Sequence, residues 1–207
     1  MSPSFGLCCN AHRPRFDVHC QLLKGYEMRH QNYLFTSVVC AVLTLAPTYG
    51  ADPLSAGQKG LYEGVTNNII RAAEKMPESN YSFKPSPDVR SFGQLVGHLA
   101  DYQYIFCSGA AGEKPPVTGI EDSKTSKADL VQALKEGYAY CDKIYSGMTD
   151  SKLAENASVE GRPRAVLTAL TVTIAHNNEH YGNMVTYLRI KGIVPPSSER
   201  RPPAPTK

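Results

Sequence analysis

The feature that most constrains the fold of this chain is a repeat of apolar residues at steps of three, four and seven, which occurs in four separate segments. This spacing places the apolar side chains on one face of an α-helix. Residues typical of helix starts and ends bound the segments, and the predicted helices span Pro53 to Met76, Ser91 to Gly112, Ser126 to Met148 and Pro163 to Lys191. No segment of useful length has the period of a β-strand, so the sequence predicts an all-α fold.

Two of the predicted helix starts are specific. Asp52 precedes Pro53, which is the favoured order of an N-cap and a first helical residue. Ser91 is followed three residues later by Gln94, which predicts a capping box. The fourth helix carries two adjacent apolar stripes, so it is expected to be buried on more than one side, as in a four-helix bundle. We therefore predict a four-helix bundle over residues 51–198, with a polar, irregular stretch at 149–162.

The first fifty residues differ from the rest. Residues 28–50 begin with Met28, Arg29 and His30, continue with an apolar run, and end in small residues that suit cleavage after Gly50. That order is typical of a secretory signal peptide. The alternative is a buried or anchoring helix, although the run is shorter than the ~20 residues that span a bilayer. Residues 1–27 show no period, and we interpret them as a spurious extension upstream of the true start at Met28. Residues 199–207 are predicted to be a disordered tail rich in proline and arginine.

The charge balance argues against a nucleic-acid partner, and the cysteine positions predict the state of two core thiols. From residue 51 onward 18 Lys and Arg face 17 Asp and Glu, and no basic cluster lies within a predicted helix. Binding to a nucleic-acid backbone needs such a cluster, so a nucleic-acid partner is not expected. Cys107 and Cys141 both fall in apolar helical patterns, which predicts two buried thiols. A disulfide between two helices, in an oxidising compartment, is the alternative.

Three histidines occupy core-facing helical positions. His176 and His180 are four residues apart and therefore project from one face of the fourth helix. His98 lies in the apolar stripe of the second helix. Three neutral imidazoles bind Zn²⁺, Ni²⁺ or Fe²⁺ and leave a coordination position open. The sequence predicts one divalent metal ion on these residues; three separately hydrogen-bonded core histidines are the alternative.

Two acidic residues lie close to these histidines in the sequence. Glu179 precedes His180, but the helical turn directs it away from the line joining His176 and His180, so a mechanism of the HExxH protease type is not expected. Asp101 follows His98 by three residues and could accept a hydrogen bond from an imidazole N–H. A solvated aspartate on the helix face is the simpler interpretation.

Two motifs in these helices are similar to those of a known family. The segment Arg90-Ser-Phe-Gly-Gln-Leu-Val-Gly-His98 resembles the sequence before the first metal-binding histidine of the DinB-like proteins. The segment that begins His176-Asn-Asn-Glu-His180-Tyr resembles the closing signature of that family. The resemblance covers about residues 54–198. It implies a four-helix bundle, often dimeric, in which His98, His176 and His180 bind a metal.

The resemblance leaves two classes of function open. Some DinB-like proteins are metal-dependent transferases that join small thiols to electrophiles, so the chain is expected to be a hydrolase or thiol-transferase acting on a small molecule. The alternative is a non-catalytic metal-binding or interaction protein. Tyr102, Tyr181 and Tyr187 are candidates for substrate orientation, although tyrosines on helix faces more often belong to the core. With its signal peptide removed, the protein is expected to be periplasmic or secreted, free of the membrane and able to form a homodimer.

Overall fold

The computed structural model of the protein describes Gly50 and residues 52–199. Predictions for the extension at 1–27, the signal peptide up to residue 49, the new N-terminus at residue 51 and the tail from residue 200 lie outside this part of the chain. The α-helices and strands, in chain order, are helices α1 (Pro53–Lys75), α2 (Phe92–Ala111), α3 (Ile120–Ser123), α4 (Lys127–Ser146) and α5 (Asp150–Leu153), strands β1 (Asn156–Val159) and β2 (Arg162–Ala165), and helix α6 (Val166–Ile190). Short 3₁₀ helices occur at Glu78–Asn80 and Pro196–Ser198.

The four long helices α1, α2, α4 and α6 pack as a bundle, which confirms the predicted fold class. Helices α1 and α2 each pack against both α4 and α6. Rings of Tyr62, Tyr138 and Tyr145 fill the space between α1 and α4, and the rings of Tyr62 and Tyr145 stack with their centroids 4.1 Å apart. No helix in the described range is both long and apolar enough to cross a membrane.

The local start and stop signals are accurate at α2. The Ser91 side chain accepts a hydrogen bond from the Gln94 backbone, and the Gln94 side chain accepts one from the Ser91 backbone, so the predicted capping box is present. Gly112 ends the helix in the left-handed conformation, which glycine adopts without the steric cost of a Cβ.

The start of α1 is capped by a distant residue rather than by its own N-cap side chain. The Asp52 side chain makes no hydrogen bond to its own helix and instead accepts one from the Asp150 backbone at 2.7 Å. In return, the Asp150 carboxylate accepts hydrogen bonds from the backbone N–H groups of Leu54 and Ser55. The first turn of α1 is therefore capped by a residue 98 positions away from Asp52, and the two segments hold each other in place.

The prediction of an irregular stretch without strands at 149–162 is wrong. This region contains α5 and an antiparallel hairpin in which Val159 pairs with Arg162 and Ser158 with Pro163. Glu160 and Gly161 form the connection, and both have positive φ, as a tight two-residue hairpin turn requires. Pro163 therefore lies in β2 rather than in the last helix, which begins at Val166.

The expectation of two free buried thiols is also wrong. Cys107 of α2 and Cys141 of α4 form a disulfide, with their Cα atoms 5.5 Å apart. Both cysteines are completely buried. The two apolar helix faces on which the sequence placed them therefore pack directly against each other.

A buried polar contact joins the two helices that carry the histidines. Gln103 of α2 and Asn177 of α6 are both fully buried. The Gln103 amide donates to the Asn177 carbonyl oxygen at 2.7 Å, and the Asn177 amide donates back at 3.3 Å. Buried amides are costly unless they are paired. This pair therefore favours one register of α2 against α6. On α2 it lies a little more than one helical turn beyond His98.

Candidate metal centre

The three predicted histidines meet between α2 and α6. The Nε2 atom of His176 lies 3.2 Å from Nε2 of His98 and 3.1 Å from Nε2 of His180. The candidate ligand atoms of all three residues lie within 4.8 Å of one another. His98 and His180 are buried, and His176 is half-buried. The three histidines could therefore hold one metal ion.

The chemistry of the three nitrogens fits a cation. A neutral imidazole has one N–H donor and one lone pair, so Nε2 of His176 cannot satisfy both of its Nε2 neighbours with ordinary hydrogen bonds while Nδ1 of each ring also keeps its proton. Tetrahedral Zn²⁺ with Zn–N distances of 2.0–2.1 Å would place its nitrogen ligands about 3.3–3.4 Å apart. The two short Nε2 separations are close to that spacing, so only a small adjustment would admit the ion.

Burial keeps these imidazoles in the form that binds metals. Desolvation and, to a smaller extent, the neighbouring His180 and His98 lower the pKa of His176 to about 3. Desolvation likewise lowers the pKa of His180 to about 4. The pKa of His98 is lowered by burial and by the positive charge of Arg90, while Glu121 opposes the shift. Because metal ligation requires neutral imidazole, the three residues are ready to bind a cation at neutral pH.

The outer nitrogen of His98 contacts an acidic residue that the sequence did not suggest. Nδ1 of His98 lies 3.0 Å from Oε2 of Glu121, and Oε1 of Glu121 accepts a hydrogen bond from Nε of Arg90 at 2.8 Å. Glu121 belongs to the short helix α3, between two predicted helices, where no periodic pattern assigns it to a face. Gly97, in the interior of α2, is the sequence feature that could have indicated a close approach to α2.

Asp101 is neither solvated nor the acceptor for His98. It is buried, and its two carboxylate oxygens accept hydrogen bonds from the backbone N–H groups of Ile120 and Glu121, both at 2.9 Å. Asp101 therefore holds the start of α3, and the acceptor role that was considered for Asp101 belongs to Glu121 instead.

The other two imidazoles are held differently. Nδ1 of His180 lies 3.3 Å from the Asn183 amide. Nδ1 of His176 is buried and has no hydrogen-bond partner in the described part of the chain. The His176 ring instead stacks on Tyr102, with centroids 4.8 Å apart, and meets the edge of Phe106. Aromatic packing therefore fixes the orientation of His176.

A groove of about 710 Å³ lies against one side of the triad, and His180, Glu121 and Arg90 contribute to its wall. Glu179 is exposed and lines the same groove. Tyr187 also lines it and donates a 2.6 Å hydrogen bond to the Arg90 carbonyl oxygen. A small molecule in this groove would therefore lie next to the histidines.

The other two candidate tyrosines do not line this groove. Tyr102 packs against His98 and His176, with ring centroids 4.4 and 4.8 Å away. Tyr181 is buried, and its hydroxyl accepts a hydrogen bond from the Ser197 backbone at 2.9 Å. Tyr187 is thus the one of the three that is placed to contact a ligand in the groove.

The central part of the sequence matches a known family. The family model of the DinB superfamily matches residues 61–184, a range that includes His98, His176 and His180. This is more than half of the chain, so the protein belongs to the DinB superfamily. No curated protein sequence matches the chain significantly.

Solved structures of DinB-like proteins share the fold. A DinB-like protein from Bacillus cereus is 20% identical, with a TM-score of 0.61, over 68% of this chain and 95% of that one. The DinB-like protein YjoA from Bacillus subtilis is 23% identical, with a TM-score of 0.57, over 70% and 99%. YfiT from Bacillus subtilis, described as "a probable metal-dependent hydrolase with an unusual four-helix bundle topology", is 14% identical, with a TM-score of 0.54, over 72% and 93%. At these identities the likeness establishes the four-helix-bundle fold.

Proposed function

We propose that this protein is a metal-dependent enzyme of the hydrolase or thiol-transferase type, with one divalent ion held by His98, His176 and His180. The observation that carries the proposal is the convergence of the three imidazoles beside a groove whose wall includes His180. A divalent ion on three imidazoles keeps an open coordination position and supplies a Lewis acid that can lower the pKa of water to about 7 or bind a thiolate. Its substrate is a small molecule.

The residues around the triad define one route of approach. Tyr102 and Phe106 cover the His176 ring with aromatic surface. The groove lies on the side of His180, where Arg90 and Lys84 provide positive charge and Asp88 and Glu179 provide negative charge. A small polar molecule would therefore enter beside His180, and the charged side chains would orient it.

The names of two structural relatives support a metal-dependent reaction and a thiol-dependent one, respectively. YfiT is described as a probable metal-dependent hydrolase. A mycothiol-dependent maleylpyruvate isomerase, which is 14% identical with a TM-score of 0.52, covers 74% of this chain and 81% of its own. Hydrolysis is the reaction type we favour, because we also propose export to the periplasm or beyond, away from the cytoplasmic thiols that a transferase consumes. The Cys107–Cys141 disulfide supports an oxidising compartment.

A non-catalytic metal-binding protein is the second candidate. The observation in its favour is that the histidines come from two helices, α2 and α6, so an ion between them would cross-link the bundle. A structural ion more often has four protein ligands than three. The triad has three, and for this reason the enzyme is the first choice.

Metal content tests the proposal. The complete chain, purified without a histidine tag, is expected to hold about one divalent ion, and the His176→Ala variant is expected to lose most of it. Asn178→Ala, which changes an exposed residue of α6 between the two histidines, is the matched control and should retain the ion. Equal metal content in the wild type and in His176→Ala would refute the assignment.

A further inference from the structure

The short helix α3 is fixed against α2 at two points. Asp101 of α2 accepts hydrogen bonds from the first backbone N–H groups of α3. Gly97, one turn earlier on α2, allows the two backbones to come together, because a Cβ at this position would lie 2.7 Å from Cα of Glu121. No ordinary side chain fits at that distance. The position of Glu121 is therefore set by α2, the helix that also carries His98.

Glu121 then has both carboxylate oxygens engaged. One lies 3.0 Å from Nδ1 of His98, and the other accepts from Nε of Arg90 at 2.8 Å. A carboxylate at Nδ1 accepts a hydrogen bond, so His98 must carry its proton on Nδ1. The lone pair then lies on Nε2, the nitrogen that faces His176 and His180.

We propose that Glu121 is the positioning residue of the metal centre, and that Asp101 acts through it by holding α3 in place. This inference rests on the metal site proposed above. Glu121 fixes the tautomer and ring orientation of His98 and increases the basicity of its Nε2. In the described part of the chain, no other carboxylate hydrogen-bonds to an imidazole of the triad. Arg90 in turn prevents the Glu121 carboxylate from rotating away.

Loss of an outer-shell partner of this kind typically lowers metal affinity 10- to 100-fold. The Glu121→Ala variant is expected to show a loss in this range when Zn²⁺ affinity is measured by competition with a chromogenic chelator. Glu121→Gln keeps a carbonyl oxygen that can accept from Nδ1, so its loss should be clearly smaller. Asp122→Ala removes the neighbouring, exposed acid of the same short helix and is the matched control, with unchanged affinity.

A double-mutant cycle tests the role of Asp101. If Asp101 acts only by placing Glu121, Asp101→Asn should weaken Zn²⁺ binding in the wild-type background. The same change should have little further effect once Glu121 is alanine. If the fold-loss of Zn²⁺ affinity in the double variant equals the product of the two single losses, Asp101 acts independently of Glu121, and this part of the proposal is overturned.

The metal-free protein provides a readout that a purely structural role would not change. Long-range ¹⁵N–¹H NMR spectra at neutral pH should show His98 protonated on Nδ1 in the wild type and in Glu121→Gln. Glu121→Ala should show a mixture of the two tautomers. If Glu121→Ala proves unfolded, the inference is still tested by the Zn²⁺ affinities of Glu121→Gln and Asp101→Asn. It is also tested by the tautomer of His98 in the wild type.

Two results would overturn the inference: Zn²⁺ affinity of folded Glu121→Ala within twofold of the wild type, or His98 protonated on Nε2 in the metal-free wild type. Failure of the proposed function gives a different result, namely wild-type metal content no higher than that of His176→Ala. The tautomer measurement requires no metal and separates the two failures.

Discussion

The disulfide between Cys107 and Cys141 allows a quantitative prediction. It joins α2 to α4 and closes a loop with a sequence separation of 34 residues. The chain-entropy relation for a loop of this length gives a stabilisation of about 4 kcal/mol, through restriction of the unfolded chain. For a domain of roughly 150 residues, that corresponds to a melting temperature about 8–15 °C higher.

The perturbation is the Cys107→Ala/Cys141→Ala double variant, compared with the wild type in urea titrations followed by helical circular dichroism. We expect the free energy of unfolding to fall by about 4 kcal/mol, plus a smaller contribution from the lost packing of two buried sulfur atoms. Reduction of the wild type isolates the cross-link, because the sulfur atoms remain. Reductant should lower the stability of the wild type by most of this amount and leave the double variant unchanged.

The reasoning would be refuted if the oxidised wild type and the double variant unfolded at the same urea concentration. It would also be refuted if reductant destabilised both proteins equally, because the effect would then come from other cysteines. Alkylation under denaturing, non-reducing conditions provides an independent check: Cys107 and Cys141 should remain unmodified unless the protein has first been reduced.

Three further predictions concern the metal, the close approach of α3 and the N-terminus. Chelation of the metal should leave helical circular dichroism largely intact, because apolar seams run along all four long helices whereas the histidines fill about one layer; wholesale unfolding would favour the structural role. Gly97→Ala should cost about 1–3 kcal/mol of stability and weaken metal binding, since the new Cβ would displace Glu121. Gly57→Ala, in open space on α1, should instead stabilise the protein by up to about 1 kcal/mol. Protein recovered from outside the cytoplasm should begin within a residue or two of Ala51, and N-terminal sequencing that finds Met1 or Met28 would contradict the signal-peptide interpretation.

The sequence by itself determined the elements whose signals are local. Apolar residues at helical spacing predicted the four long helices, and the Ser91–Gln94 capping box and Gly112 bound α2 as expected. The same periodicity placed His98, His176 and His180 on core-facing positions. In a bundle, residues on the inner faces of packed helices converge, so the cluster of three imidazoles followed from spacing and burial. That this cluster binds a metal ion remains a prediction.

The tertiary structure decided the contacts between residues that are distant in sequence. Asp150 caps α1 from 96 positions beyond Leu54, and Glu121 reaches His98 across 23 positions. The hairpin was missed because strands of four residues, with only Val159 buried, are too short for an alternation of polar and apolar residues to stand out. Helical periods and caps depend on neighbours within a few residues, whereas these partners meet only when the packed helices bring their loops together. The cluster of three histidines was therefore visible in the sequence, whereas the contact of Glu121 with His98 was not.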